Sequence, residues 1–346
     1  MTNTATPSAT SCPTTIEPED REHWLTLRQA DVTSTDSAAL LGVSPYRTAL
    51  DVYLDKTGKG TPAFTDSERM FWGRVLEPAV AEGLAQRYGL TVRPITEYMR
   101  SANVDRLGAS FDYEIVDVDP LAAAPEVAET AATLAALHAE HGPGILEIKT
   151  VDYLQYRDTW LVHDSGEVEA SPHIEVQVQH QLAVSGRGWA AIGVLVAGNS
   201  SLLVTRTRHA EAISAIEAAA SAFWAQVDAG TPPAVDGHRD ERTISLLYPV
   251  SDPAAELPAE VADEAATLCA DITRLKAEEK ATATAIGDRQ ARLKELLADV
   301  ERARVDGFEV TYKTQTRKAH TRQVPESTTR PLRIKALTAK PAEAAA

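Results

Sequence analysis

The chain has 346 residues, 44% apolar and 24% charged, which suits one large or two modest globular domains with a substantial core. Lys and Arg number 34 against 50 Asp and Glu, a net charge of −16, so bulk positive charge cannot hold nucleic acid and any such contact must come from local clusters. The 2 cysteines, Cys12 and Cys269, exclude a disulfide scaffold and a zinc ribbon, and no apolar run reaches the roughly 18–20 residues a membrane span needs.

Residues 1–20 are rich in Thr, Ser and Pro and are expected to be a disordered tail. They lack the basic start and apolar centre of a signal peptide, so a cytoplasmic protein is expected, in a bacterium or a phage-infected host. From Arg21 to about residue 250 the pattern is mixed α/β. A helix is predicted over 68–88, where Trp72, Leu76, Ala79, Val80, Gly83 and Leu84 recur at three and four, with Pro78 capping or kinking it. Residues 111–118 and 145–151 are predicted strands, separated by an Ala-rich helix within 121–141 that Gly142-Pro143-Gly144 closes. A helix over 173–185, a buried strand over 189–197 and a helix over 209–229 follow, the last ending at Gly230.

Composition shifts after Pro249. Residues 251–303 are a helical extension, in which Val261, Leu268, Ile272, Leu275, Ile286 and Leu293 are spaced by sevens and one eleven. That spacing suits a helical hairpin or an imperfect coiled coil, more often a packing or oligomer element than a dedicated partner site. Residues 304–346 hold a strand-like run over 308–318 and a basic tail with Arg322, Arg330, Arg333, Lys335 and Lys340.

The chemistry-bearing segment is Gly144-Ile-Leu-Glu-Ile-Lys-Thr150. Side chains alternate along a strand, so Glu147 and Lys149 share one face while Leu146 and Ile148 point into the core. A carboxylate and an ammonium so placed suit metal binding beside an activated water; taken alone they equally suit an exposed ion pair on an edge strand. Asp112 opens the preceding strand, and Glu77 lies on the helix before it, on the stripe of Gly73, Val80 and Leu84. A carboxylate among inward-facing residues requires a cation. Three carboxylates and a lysine would form an oxygen-rich pocket for a hard divalent ion such as Mg²⁺ or Mn²⁺, able to activate water against a phosphodiester.

Glu77, Asp112 and Glu147-x-Lys149 resemble the metal-site signature of the PD-(D/E)XK nuclease superfamily. More narrowly, the chain resembles the YqaJ-like viral recombinase family, relatives of phage lambda exonuclease. Arg28-Gln-Ala-Asp-Val-Thr-Ser-Thr35, Leu41-Gly-Val-Ser-Pro-Tyr46 with Leu54-Asp-Lys-Thr-Gly58, Gly73-Arg-Val-Leu-Glu-Pro78 and Gln177-Val-Gln-His-Gln-Leu-Ala-Val-Ser-Gly186 are similar to its motifs, in the same order. The resemblance covers roughly 21–230, so residues 21–250 are expected to be the exonuclease domain. Where the family commonly shows S-P-D-G, this chain has Ser110-Phe-Asp112-Tyr113, and Thr35 replaces the usual serine.

The resemblance implies an α/β restriction-endonuclease-like core, a central mixed sheet flanked by helices, with a helical or coiled-coil C-terminal extension. It implies that Asp112, Glu147 and the Ile148 backbone carbonyl bind the metal, with Glu77 joining directly or through water. Lys149 would position or deprotonate the attacking water, and Gln177 would lie near the scissile phosphate or that water. Arg28, Thr35 and Ser110 align with positions that grip a DNA 5′-phosphate. The implied activity is Mg²⁺-dependent 5′-to-3′ exonuclease action on double-stranded DNA ends in phage-type recombination, leaving 3′ overhangs for a single-strand annealing protein. The implied assembly is a ring-like homo-oligomer such as a trimer. Alternatives are a structure-specific or Cas4-like endonuclease of the same superfamily, or a non-catalytic module that binds DNA ends. Arg87, Arg93, Arg100 and Arg106 are candidate DNA contacts and equally candidate solvated charges. His163, His173 and His180 lack zinc spacing, and the five tryptophans suit packing roles.

Overall fold

The computed structural model describes residues 12–60, 67–248 and 250–316. The chain divides into two compact units, Met1–Leu247 and Tyr248–Ala346. Unit 1 begins with strand β1 (Thr14–Ile16) and helices α1 (Arg21–Ala30), α2 (Ser34–Leu40), α3 (Ala49–Lys56) and α4 (Glu68–Tyr88). Strands β2 (Leu90–Pro94), β3 (Tyr98–Arg100), β4 (Gly108–Ala109) and β5 (Tyr113–Val118) precede helix α5 (Ala128–His141). Then come β6 (Gly144–Val151), α6 (Tyr153–Thr159), the short strands β7 (Leu161–Val162) and β8 (Val168–Glu169), and α7 (Pro172–Ser185). Strands β9 (Trp189–Val196) and β10 (Ser200–Thr207) and helices α8 (Ala210–Asp228) and α9 (Glu241–Leu247) complete it.

The central sheet has the order β10-β9-β6-β5-β2. Only β6 and β9 run parallel, with Glu147 opposite Ile192; the other pairs are antiparallel, so the sheet is mixed. Strand β6 lies in the middle, which removes the edge-strand reading of Glu147 and Lys149. Alternation along it feeds two cores. Ile145 and Val151 pack with Val178 and Leu182 of α7 and Phe223 of α8, whereas Leu146 and Ile148 pack with Val80 and Leu84 of α4 and Leu134 of α5. The expected α/β architecture, a mixed sheet between helical layers with a helical C-terminal extension, is the one observed.

Three differences from the sequence reading have local causes. Thr14–Ile16 is not part of a disordered tail, because these residues pair antiparallel with β3. In α4 the buried stripe is Val80, Ala81, Leu84 and Tyr88; Trp72 and Val75 are exposed, because only the C-terminal half of the helix carries that buried stripe. Pro78 lies inside α4, which continues through it to a left-handed Gly89 cap. Strand β10 is absent from the sequence reading: the polar start and end of SSLLVTRT (200–207) mask its pairing with β9.

Unit 2 holds one uninterrupted helix, α10 (Ala262–Leu297), rather than a hairpin of two. Strands β11 (Arg302–Val305) and β12 (Phe308–Thr311) pair antiparallel after it. The basic tail beyond residue 316, including Arg322, Arg330, Arg333, Lys335 and Lys340, lies outside the described residues. Among the described residues, no helix is long and apolar enough to cross a membrane.

Candidate active site

Glu147 is 2% exposed in the middle of β6. Taking an ionised carboxylate out of water costs several kcal/mol unless donors replace the water. Three do so. Lys149 Nζ and Gln177 Nε2 each donate to Oε1 at 2.5 Å, and Gln181 Nε2 donates to Oε2 at 2.7 Å. Bonds to a charged group contribute about 1.5–3 kcal/mol each, enough together to hold the carboxylate. Helix α7 aims both glutamines at β6 because residues four apart share a helical face. Pro172 starts this helix and the left-handed Gly186 ends it, which fixes where those two side chains fall.

Asp112 precedes β5, and its Oδ2 accepts the Ile148 backbone N–H at 2.8 Å. Its own carbonyl accepts from Ile95 N–H at 3.0 Å. Burial pushes the Asp112 carboxyl well above the usual carboxylate range; Glu147 and Glu77 push the same way against Lys149. Glu77, half-buried on α4, is raised by burial and by Glu147. Burial alone would lower the Lys149 ammonium, but Glu147, Asp112 and Glu77 outweigh it and raise it. The four groups therefore sit in one another's field, with three carboxylates facing one ammonium.

The expected quartet is thus gathered around the middle of β6, though not as a closed cage. Among the described residues, no three Asp, Glu, His or Cys side chains converge closely enough to hold one ion. The donor set still fits Mg²⁺ or Mn²⁺, since such ions are bound by one or two carboxylates and keep several waters. Asp112, Glu147 and the Ile148 carbonyl are hard oxygen donors that could hold such an ion, and Glu77, in the field of Glu147 and Lys149, could join them directly or through water. The buried Gln181 Oε1, which has no partner, is a further acceptor at the site.

The residues expected to grip a phosphate are partly assembled. Trp24 Nε1 donates to Ser110 Oγ at 2.9 Å, and the Arg28 guanidinium lies 4.6 Å over the Trp24 ring. Gln181 Nε2 donates to the Ser110 carbonyl at 3.1 Å, which connects this group to Glu147. Thr35, the second residue of α2, is exposed, and its hydroxyl is 3.3 Å from that of Thr33.

Two contributors were missed by sequence reasoning. Gln181 carried a signal, its spacing of four from Gln177. Trp24 carried none, because its contacts with Arg28 and Ser110 depend on tertiary placement. Three surface arginines are paired one to one, Arg87 with Glu126, Arg100 with Asp31 and Arg106 with Asp228, while Arg93 shares Glu114 with Arg187. His180 is fully buried between Ser37 Oγ and the Gly108 carbonyl, and His163 pairs with Glu169, so both histidines are structural.

A mixed sheet between helix layers, with a Glu-x-Lys on its middle strand beside a half-buried Asp, defines an α/β domain carrying an acidic cluster. Residues 23–188 match the family model of the YqaJ-like viral recombinase domain, the family that the ordered motifs resemble. The chain is 30% identical over 220 residues to the uncharacterized protein YqaJ of Bacillus subtilis (strain 168). That match covers 63% of this chain and spans 60% of the relative's length. Among solved structures, the alkaline exonuclease LHK-Exo from Laribacter hongkongensis is 20% identical at a TM-score of 0.45, covering 60% of this chain and 93% of that one. LHK-Exo in complex with dAMP is 19% identical at a TM-score of 0.45, covering 65% and 99%.

Proposed function

We propose that the protein is a Mg²⁺-dependent (or Mn²⁺-dependent) 5′-to-3′ exonuclease acting on double-stranded DNA ends. The observation that carries this reading is the buried Glu147–Lys149 pair with Asp112 and Glu77 in its field, on a YqaJ-like viral recombinase domain. An uncompensated excess of carboxylate charge calls for a cation. When bound, that ion supplies charge stabilisation for the phosphodiester and a more acidic water. Asp112, Glu147 and the Ile148 carbonyl would hold it, with Glu77 joining directly or through water.

The remaining steps belong to the chain's own side chains. Lys149 would either position the attacking water in line with the leaving 3′-oxygen or, after a bound cation has offset the local negative charge and its ammonium has released a proton to solvent, accept the water's proton; the departing 3′-oxygen is protonated from solvent. Gln177 orients that water or the scissile phosphate. Arg28 offers a fork to a terminal 5′-phosphate, with Ser110 and Thr35 as hydroxyl donors. Trp24 holds the Arg28 plane and the Ser110 hydroxyl together. Cleavage from the 5′ end leaves a 3′ overhang, the substrate for a single-strand annealing protein. At a net charge of −16 the chain repels DNA at long range, so a ring-like oligomer that encloses duplex is the assembly this reading favours.

The test is a digestion time course on linear duplex DNA labelled at either strand end, with closed circles alongside. The 5′-phosphorylated strand should shorten in Mg²⁺ while circles persist, and Glu147→Ala with Lys149→Ala should abolish the shortening. Cutting of circles indicates the endonuclease alternative. Binding of ends without turnover in Mg²⁺ or Mn²⁺ indicates the non-catalytic one.

A further inference from the structure

Helix α10 of unit 2 buries almost none of its surface. It runs 36 residues, about 54 Å at about 1.5 Å per residue, and only Leu297 is buried along it. Leu268, Leu275 and Ile286 are 54%, 52% and 51% exposed. A helix of this length draws its stability chiefly from packing an apolar face, and within unit 2 the face stands open.

The face keeps an unbroken seven-residue frame. Ile272, Glu279, Ile286 and Leu293 fall at successive a positions, and Leu268, Leu275, Thr282, Arg289 and Leu296 at successive d positions. The interval of eleven between Leu275 and Ile286 is therefore not a break: Glu279 and Thr282 occupy the intervening a and d. Two charges of opposite sign, Glu279 and Arg289, thus lie on the seam itself. Both are exposed here. A charge on a seam is costly unless paired, and it selects register.

That selection identifies the partner. An in-register parallel copy would set Glu279 against Glu279 and Arg289 against Arg289. An antiparallel copy with its two-fold axis at Thr284 sets Glu279 against Arg289 of the second copy, twice. The same axis sets Leu275 opposite Leu293 and Ile272 opposite Leu296, with every a position facing a d. Next to the seam, Glu278 falls opposite Arg292. Around the axis the chain reads Ala281-Thr-Ala-Thr-Ala-Ile-Gly287, small enough for close approach. With the axis at Thr284 the two helices overlap over residues 271–297, about 40 Å at about 1.5 Å per residue, and a seam about 10 Å wide on each hides on the order of 800 Å² in total, a small interface whose register the seam charges select.

We propose that α10 pairs with α10 of a second copy as an antiparallel two-stranded coiled coil centred on Thr284. This pairing is independent of the nuclease reading and of any ring formed by unit 1. The experiment is sedimentation of the full chain at matched concentrations, with helicity followed by circular dichroism. Wild type should self-associate. Arg289→Glu and Glu279→Arg should each lower the mean mass by about twofold, through two like-charge contacts on the seam. An equimolar mixture of the two variants should restore it, because every seam charge again meets its opposite. A wild-type chain that stays monomeric overturns the proposal. So do single reversals that keep wild-type mass and helicity, as a parallel pairing or an uninvolved helix would give.

Discussion

The amide nitrogen of Gln181 donates to Glu147 Oε2 at 2.7 Å and to the Ser110 carbonyl at 3.1 Å, so a single buried side chain joins the candidate metal site to the candidate phosphate grip. Its neighbour one turn earlier, Gln177, holds the other oxygen of the same carboxylate. Groups that orient a ligating carboxylate contribute through geometry rather than contact with substrate. Gln181→Leu should therefore lower Mg²⁺-dependent hydrolysis of linear duplex by about 10–100-fold and raise the Mg²⁺ concentration needed for half-maximal rate. A metal titration of the variant that overlays wild type would show that Gln181 only fills space.

Trp24 tests the phosphate grip. It holds Arg28 by its ring and Ser110 by its indole N–H. Losing one hydrogen bond and one cation–π contact, each of the order of 0.5–1.5 kcal/mol, predicts about a 5- to 150-fold loss in kcat/KM on 5′-phosphorylated ends for Trp24→Leu. Ends bearing a 5′-hydroxyl should lose much less. An equal loss on both kinds of end contradicts a phosphate-directed role.

Stability at low pH should report Asp36. Burial alone would raise its carboxyl, but Lys56 at 2.9 Å and Arg47 at 3.1 Å outweigh that and hold it at about 2, below its ordinary 3.8. A depressed carboxylate stabilises the fold above its unfolded pKa, so this contribution is full above pH 3.8 and is lost as pH falls through about 2. Asp36→Asn leaves the buried Lys56 ammonium unpaired and should cost about 3–5 kcal/mol at neutral pH by urea unfolding. A cost below about 1 kcal/mol, the range of exposed pairs, contradicts this assignment.

His180 acts at milder pH. Burial lowers its imidazole from 6.5 to about 4, outweighing the hydrogen bond to the Gly108 carbonyl, which favours the charged ring; Ser37 Oγ lies at the other ring nitrogen. The unfolded chain then binds a proton that the folded chain refuses, so stability is unaffected above pH 6.5 and falls as pH drops toward about 4. At about 1.4 kcal/mol per pH unit the loss reaches on the order of 3 kcal/mol. Urea unfolding of wild type against His180→Gln, at pH 7.5 and about pH 4.5, should show the wild type losing more; parallel losses in the two proteins contradict the argument.

Much of this site was legible in the sequence, for physical reasons. Strand alternation placed Glu147 and Lys149 on one face and Leu146 and Ile148 in the core, and the structure has them so. The four-residue rule placed Glu77 beside Val80 and Leu84. What periodicity could not supply was which side of α4 had a partner, so Trp72 was given an inward face that it lacks. Likewise β10 was invisible because half of its residues are polar, although its whole length pairs with β9. Trp24, Ser110 and Gln181 meet across separations of 86 and 71 residues, which local pattern does not encode.

The central claim is that a divalent ion binds at the carboxylates gathered around Glu147. Direct Mn²⁺ binding by the full chain, followed by electron paramagnetic resonance of the free ion, tests it without DNA or turnover. Wild type should bind Mn²⁺ and surrender it to Mg²⁺, and Asp112→Asn and Glu147→Gln should each weaken binding by at least about tenfold. Absence of binding by wild type, or binding that neither substitution alters, would contradict the account.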